Sequence, residues 1–461
     1  MTTAPGEHYA LLTDLYELTM AASYFREEMH GEATFSLFIR KYPQERSYFV
    51  AAGLADALAY LATFRFSEED LAYLESTRLF QPDFLDYLKT VRFTGEVWAL
   101  PEGSLFFKDE PILEVSAPII EAQLVETFLI NTINLQTLIA TKAARATVAA
   151  GGRRLVDFSL RRTQGIDAGL KVARASYLAG FVGTSNVLAG KLYGLPIFGT
   201  MAHSYITSFP SEIEAFRAFA RAFPQNTVLL IDTYDTIAGA KKAIQVGQEM
   251  AARGQKLRGV RLDSGDMAAL SIEVRRLLDE AGLDYVTIFA SGGFDEGKIA
   301  RTLAAGGKID AYGVGTKMGV SADVPYFDIA YKLVRYEARP VMKLSTGKVT
   351  YVDKKQIHRR YDDQGQMVGD IISLRDEAVS EAVPLLRQVM AHGQVVQPLP
   401  TLAASREYFL QEFAKLPIEY KSLENPAHYP VQISPGLAAL QAEVEARVRR
   451  QELEEGPGAR R

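Results

Sequence analysis

Cysteine is absent from the 461 residues, which excludes disulfides, thiol catalysis and cysteine metal sites. No Lys/Arg-dense run interrupts the chain and the net charge is −5, so neither a nucleic acid nor an anionic membrane is expected as a partner. Any phosphate chemistry must then rest on a few placed groups in a cleft. The longest apolar stretch, FLINTINLQTL from Phe128 to Leu138, is broken by Asn131, Asn134 and Gln136. It falls far short of the roughly 20 residues that a membrane span requires. The opening MTTAPGEHYALLTDLYELTM has no Lys or Arg before Arg26 and carries Glu7, Asp14 and Glu17. No secretory signal is expected there, and a cytoplasmic location is. What remains is 48% apolar and 23% charged, a composition that supports a large core, in a length suggesting two or three domains.

Residues 1–150 mix strand-like runs (33–39, 95–100, 111–117) with helical stretches, and Glu121 to Ala149 reads as a long helical region. From 151 the pattern changes. Short apolar runs recur, each followed by a helical segment: LVDFSL (155–160), PIFGTMAHS (196–204), TVLLIDTYD (227–235), GVRLDSGD (259–266), VTIFASGG (286–293) and IDAYGVGT (309–316). Strand alternating with helix predicts a parallel sheet, with its chemistry at the carboxyl ends of the strands. A barrel is favoured over an open nucleotide-binding sheet, because the last repeats carry the glycines of a phosphate site and no GxGxxG follows a first strand. After Pro325 the alternation stops. VMKLSTGKVTYVD (341–353) reads as a hairpin around a Thr-Gly turn, continued by QIHRRY and MVGDIISL around DDQGQ. The expected division is 1–130 and 331–435 as two parts packing together, 131–330 as the barrel, and 436–461 as a charged helix with a frayed tail.

Four clusters carry candidate chemistry. Among the six histidines no two stand at metal-ligand spacing, so no metal is assigned to direct side-chain ligation. His203 follows PIFGT beside Thr200 and Ser204, at an expected strand end. It reads either as a hydrogen-bonded histidine or as a nucleophilic or acid–base imidazole. DFSLRRTQG (157–165) sets Arg161 and Arg162 past a strand, as solvated charges or as a phosphate or pyrophosphate clamp. GVRLDSGD interleaves Arg261, Asp263 and Asp266 around Ser264. A charged alternation in a buried parallel strand is costly unless it faces a polar site, although an Arg–Asp structural pair would also satisfy it. LIDTYDT repeats the theme with Asp232 and Asp235. SGGF (291–294, with Gly292 and Gly293) and GVGT (313–316, with Gly315 and Thr316) end consecutive late strands, where backbone amides and a following helix N-terminus favour phosphate.

Together with TDLYELTM (13–20), SNVLAGKLYGLPIFGTMAHSY (185–205), GVGTKMG (313–319) and YKSLENP (420–426), these segments resemble, in order and across nearly the whole chain, the nicotinate phosphoribosyltransferase family. The resemblance implies a type II phosphoribosyltransferase fold: an irregular, incomplete α/β barrel joined to an α/β open-faced sandwich with an antiparallel β-rich part. It implies an ATP-coupled enzyme, classed as a ligase, that converts nicotinate, phosphoribosyl pyrophosphate, ATP and water to nicotinate mononucleotide, pyrophosphate, ADP and phosphate. His203 would be phosphorylated by ATP. Arg261, with Tyr16 and Thr200, would hold nicotinate, Arg161 and Arg162 pyrophosphate, and Gly293, Gly315 and Thr316 the 5′-phosphate. Asp263 would join the catalytic set, and Ser204, Asp232, Ser264 and Gly292 the substrate contacts. Mg²⁺ would be the cofactor, ATP the co-substrate, and a homodimer would share its sites through the Tyr16 segment. The nearest rival is a nicotinamide phosphoribosyltransferase. A barrel aldolase would need a strand-end lysine that does not stand out, and a non-catalytic nucleotide-binding regulator would be expected to lose groups that are all present.

Overall fold

The computed structural model describes residues 8–344 and 350–454. The described chain forms two compact units: one runs up to Thr141 and resumes at Tyr326, and the other is Lys142–Pro325.

Unit 142–325 is built on a six-stranded, all-parallel sheet. Its strands are Arg154–Asp157, Gly183–Thr184, Val228–Leu230, Gly259–Leu262, Thr287–Ala290 and Ala311–Val314. In space the order is 183–184, 154–157, 311–314, 287–290, 259–262, 228–230. The first and last of these do not pair with each other, so the sheet stays open, as an incomplete barrel does. Alternation along the strands explains the layering. Leu155, Leu229, Val260, Ile288 and Tyr312 are buried on one face, while Val156, Val228, Thr287, Phe289 and Ala311 line a cavity of about 620 Å³ on the other. Three strand-to-helix turns end in an aspartate whose side chain caps the next helix: Asp235 before Thr236–Ala251, Asp266 before Met267–Glu280 and Asp295 before Glu296–Ala304. Asp235 and Asp266, grouped with the candidate chemistry on sequence, therefore cap the N-termini of helices.

One expected strand is not there. PIFGTMAHS makes only an isolated bridge, Ile197 to Thr184, and His203 opens the short helix His203–Thr207 instead of closing a strand. Pro196 has no amide to give a ladder, and the segment lies against the two-residue edge strand, where Thr184 N donates to Pro196 O at 3.0 Å and Phe198 N to Thr184 O at 2.9 Å. Past Phe198 the chain leaves the edge.

The other unit holds a seven-stranded antiparallel sheet in which Glu32–Ile39 pairs with Ile329–Tyr336, and Glu96–Ala99 with Arg387–Ala391, from the far end of the chain. The expected long helix appears as Ile119–Leu124 and Glu126–Ala150, interrupted at Val125. Lys355–Tyr361 and Met367–Leu374 form the hairpin expected around DDQGQ. The Thr-Gly turn expected within 341–353 falls on residues 345–349, outside the described residues, and its flanks at 341–344 and 350–352 carry no strand. The charged helix appears as Pro435–Arg449; the tail beyond Glu454 lies outside the described residues. Among the described residues no helix is long and apolar enough to cross a membrane.

Across the hairpin Arg359 stands opposite Asp370. The pair is fully buried, with Nη2 to Oδ2 at 2.6 Å and Nε to Oδ1 at 2.9 Å, and Nη2 also donates to the Leu105 carbonyl at 2.9 Å. Arg359→Leu would strand the Asp370 carboxylate without its cation, so a loss of about 3–5 kcal/mol in urea unfolding is expected. A loss below about 1 kcal/mol would show that the carboxylate finds relief by another route.

Candidate active site

The carboxyl ends of the parallel strands open onto a cavity of about 590 Å³ whose wall includes Arg161, Thr200, His203, Ser204, Arg261 and Asp263. Arg261 is the hub. Its Nε donates to Ser291 Oγ at 2.8 Å, its Nη1 to Thr200 Oγ1 at 3.1 Å and the Met201 carbonyl at 3.3 Å, and its Nη2 to Asp263 Oδ1 at 2.9 Å. The guanidinium also lies 5.4 Å from the centre of the Phe158 ring. The Arg–Asp structural pair weighed on sequence is thus present, and it forms part of the cavity wall. Because protein acceptors already engage both ends of the fork, Arg261 is held rigidly and presents a fixed positive edge beside the Thr200 hydroxyl.

Asp263 gathers the neighbouring strands. Its Oδ1 accepts from Arg261 and, in a very short contact, from Ser291 Oγ. Burial works against its charge, but the Ser291 hydroxyl and the Arg261 guanidinium outweigh that and hold its pKa below the usual carboxylate value. Behind it, Asp232 Oδ2 accepts from the Asp263 amide at 3.0 Å and from Ser264 Oγ at 2.6 Å. The other Asp232 oxygen is buried with no protein partner.

His203 points its Nδ1 at Thr233 Oγ1, 3.1 Å away, and its Nε2 at Asp263 Oδ2, 4.0 Å away. The side chain is 44% exposed, so one anchored imidazole stands open to the cavity. Arg161 and Arg162 sit on a single 3-10 turn, Leu160–Arg162, just past the strand 154–157. Both are exposed; Arg161 lines the cavity and Arg162 is not among the lining residues. The turn is held from beneath by buried Asp157, whose carboxylate accepts from Ser159 N at 2.9 Å, Ser159 Oγ at 2.5 Å and Thr184 Oγ1 at 2.7 Å.

The two glycine turns differ. Gly292 has φ +93°, and a Cβ there would stand 1.9 Å from the Asp263 carbonyl oxygen. Gly293 has φ +69° with nothing within 4 Å of its would-be Cβ, so the turn exposes an open cradle. Gly315 has an ordinary negative φ, but a Cβ would meet the Phe158 carbonyl at 2.9 Å. Thr316 starts a four-residue helix. Tyr16 belongs to the other unit, on the helix Leu15–Arg26, and is 46% exposed. The sequence does not mark Ser291, Thr233, Asp157 or Thr184 individually, although Ser291, Thr233 and Asp157 lie inside the motifs SGGF, LIDTYDT and DFSLRRTQG.

Among the described residues no group of three or more His, Asp or Glu side chains can hold a metal. Asp232, with its unpartnered oxygen beside Asp263, fits a Mg²⁺ whose shell comes mainly from water and substrate phosphate oxygens.

Residues 11–134 match the nicotinate phosphoribosyltransferase N-terminal domain, 153–364 the nicotinate phosphoribosyltransferase family and 378–441 its C-terminal domain. The chain is 50% identical over 427 residues to a nicotinate phosphoribosyltransferase of Mycobacterium tuberculosis, covering 92% of this chain and 91% of that one. It is 37% identical to the Bacillus subtilis nicotinate phosphoribosyltransferase, covering 92% and 93%. Among solved structures, that of human nicotinic acid phosphoribosyltransferase superposes with a TM-score of 0.84 at 32% identity, covering 94% of this chain and 99% of that one.

Proposed function

Since the chain belongs to the nicotinate phosphoribosyltransferase family, we propose that the cavity around Arg261 joins nicotinate to the ribose of phosphoribosyl pyrophosphate, coupled to ATP. The observation that carries this reading is the wall itself: one immobilised guanidinium, one exposed and anchored imidazole, and Arg161 on a braced turn. Loss of pyrophosphate from the anomeric carbon builds positive charge on the ribose, so the leaving group needs cations. Arg161 supplies one from the cavity wall, and Arg162, next to it on the same turn, the other from outside that wall. Nicotinate attacks through its ring nitrogen, which carries no proton, so no general base is required. Arg261 and Thr200 hold its carboxylate, with Phe158 beside the ring. Asp232, Asp263 and Ser264 would hold ribose hydroxyls and Mg²⁺, and a bound Mg²⁺ would neutralise charge on the leaving pyrophosphate. The glycines Gly292, Gly293 and Gly315, with Thr316, take the 5′-phosphate.

ATP enters through His203. A ring nitrogen attacks the terminal phosphorus, ADP leaves, and later hydrolysis of the phosphoimidazole releases phosphate. Asp263 and Thr233 fix the ring for that attack, and Ser204 follows it on the cavity wall. The reading also keeps a cytoplasmic homodimer in which Tyr16 serves the partner's site. Nucleotide formation from nicotinate and from nicotinamide, each with and without ATP, tests the proposal. Nicotinate with ATP is expected to be the best combination by a wide margin; equal use of the amide, or no effect of ATP, would count against it.

The two neighbouring glycines separate binding from folding. Gly293→Val places a branched side chain in open space at a positive φ, at a strain of about 1–2 kcal/mol. It should raise KM for phosphoribosyl pyrophosphate ~ten-fold or more with little change for nicotinate, by blocking backbone approach. Gly292→Val collides with the Asp263 backbone and should damage both substrates alike. Equal effects on the two KM values from Gly293→Val would remove the phosphate assignment.

A further inference from the structure

The helix that follows the SGGF turn does not offer a bare positive end to an anion. Asp295 caps Glu296–Ala304, accepting from the Lys298 amide at 2.7 Å, so a carboxylate already occupies that end. Glu296 is neutralised separately, by Lys142 at 2.8 Å and Arg145 at 3.2 Å. Two lysines lie near Asp295, and of these Lys317 forms an ion pair with it. Lys298 Nζ donates to the Gly292 carbonyl at 2.6 Å and lies 4.5 Å from the centre of the Phe294 ring. That carbonyl is its one side-chain hydrogen-bond acceptor among the described residues, which leaves two ammonium protons for a ligand. Burial pulls its pKa below the ordinary lysine value, against the pull of Asp295, so the ammonium would gain from a further anion. Lys317, in the short helix that follows the second glycine turn, pairs with Asp295 Oδ2 at 2.7 Å, and its side chain is 52% exposed. Over the first glycine turn lies the open space above Gly293.

We propose that Lys298 is the fixed cation of the 5′-phosphate subsite, and that Lys317 is a second cation which Asp295 holds until a phosphate takes it over. The proposal rests on the phosphoribosyl reading above and adds two binding residues to it. Lys298 grips the Gly292 carbonyl of the turn whose backbone would meet the phosphate, so its charge is fixed within that turn. Lys317 ties the two glycine turns together when no ligand is bound, and on binding it exchanges a carboxylate for a phosphate oxygen. Asp295 then keeps only its helix cap.

Ribose 5-phosphate is the probe, since it carries the 5′-phosphate without pyrophosphate and its binding, measured by titration calorimetry, needs no turnover. Lys298→Met should weaken it ~ten-fold or more, Lys298→Arg by less than ~three-fold, and Lys317→Met by ~three- to ten-fold. Asp295→Asn keeps a capping side chain but removes the competing charge, so it should tighten binding ~two-fold or more. A merely structural Asp295 would give the opposite sign. Unchanged affinity in Lys298→Met, or weakened affinity in Asp295→Asn, overturns the proposal. Lys298→Arg guards against misfolding: a loss as large as in Lys298→Met would mean that geometry and not charge is at stake. If the unaltered protein makes nucleotide from nicotinate while Lys298→Met keeps its affinity, this proposal fails alone. If it binds ribose 5-phosphate with the expected pattern yet makes no nucleotide, the functional reading fails and this one stands.

Discussion

Replacing His203 with alanine is expected to abolish protein-bound, acid-labile phosphate and to lower ATP hydrolysis by about 10²- to 10⁴-fold, while slow ATP-independent transfer continues. His203 is the sole histidine between residues 142 and 325, and no cysteine exists to replace it. Its ring is anchored at Nδ1 by Thr233 and faces Asp263 with Nε2, yet remains 44% exposed. That combination suits a nucleophile: a buried ring could not reach ATP, and a loose one would lose orientation. Removing it leaves Arg261, Asp263 and the arginine pair in place, so the phosphoribosyl step should survive without its energetic coupling. Incubation with γ-labelled ATP reads the outcome directly, and label retained in the alanine protein would sink the assignment.

Arg261→Ala should nearly eliminate use of nicotinate while changing any low nicotinamide activity much less. Arg261 is already paired with Asp263, so what the acid adds is one charge-assisted hydrogen bond that the neutral amide does not make, worth about 1.5–3 kcal/mol, or roughly ten-fold to 150-fold in preference for the acid. The structure adds a second consequence. Arg261 also holds Thr200, Ser291 and Asp263, so its loss raises the pKa of Asp263 and loosens the wall. Arg261→Lys keeps a charge but cannot reach all three partners, and it should weaken nicotinate binding more than it slows turnover. The decisive comparison is the ratio of the two activities. If acid and amide fall in equal proportion, Arg261 arranges the wall and the acid-selecting cation lies elsewhere.

The parallel strands were legible wherever apolar, β-branched residues ended at a polar turn, as at 259–262 and 311–314. PIFGTMAHS misled because its apolar opening looks like a strand, whereas Pro196 and an edge position decide its fate; edge or centre is a tertiary fact. Asp235 and Asp266 carried a readable signal, an acid one residue before a helical run, but sitting among other charges they read as chemistry. Arg261 and Asp263 could be paired from their spacing. Ser291 could not be paired with them, because it follows the end of the adjacent strand and only the parallel register brings its hydroxyl to both. For the same reason the sequence shows Lys298 and Lys317 as two unrelated helix lysines.

The long pairing between Glu32–Ile39 and Ile329–Tyr336 sets a timetable for the newborn chain. Ile39 finds Ile329 across the ladder, with the whole of 142–325 coming between them in the chain. At about 5–20 residues per second, a ribosome needs roughly 15–60 s to deliver the second strand after the first. In that interval Glu32–Ile39 can pair with Pro111–Pro118 on one side but must leave its other edge bare, an invitation to pair with a neighbouring chain. The inserted unit, by contrast, has all six of its strands within its own span and can close as soon as it emerges. Birth order therefore favours a finished catalytic unit flanked by a half-made sheet, and crowded polysomes would feel that exposed edge long before the mature enzyme ever does.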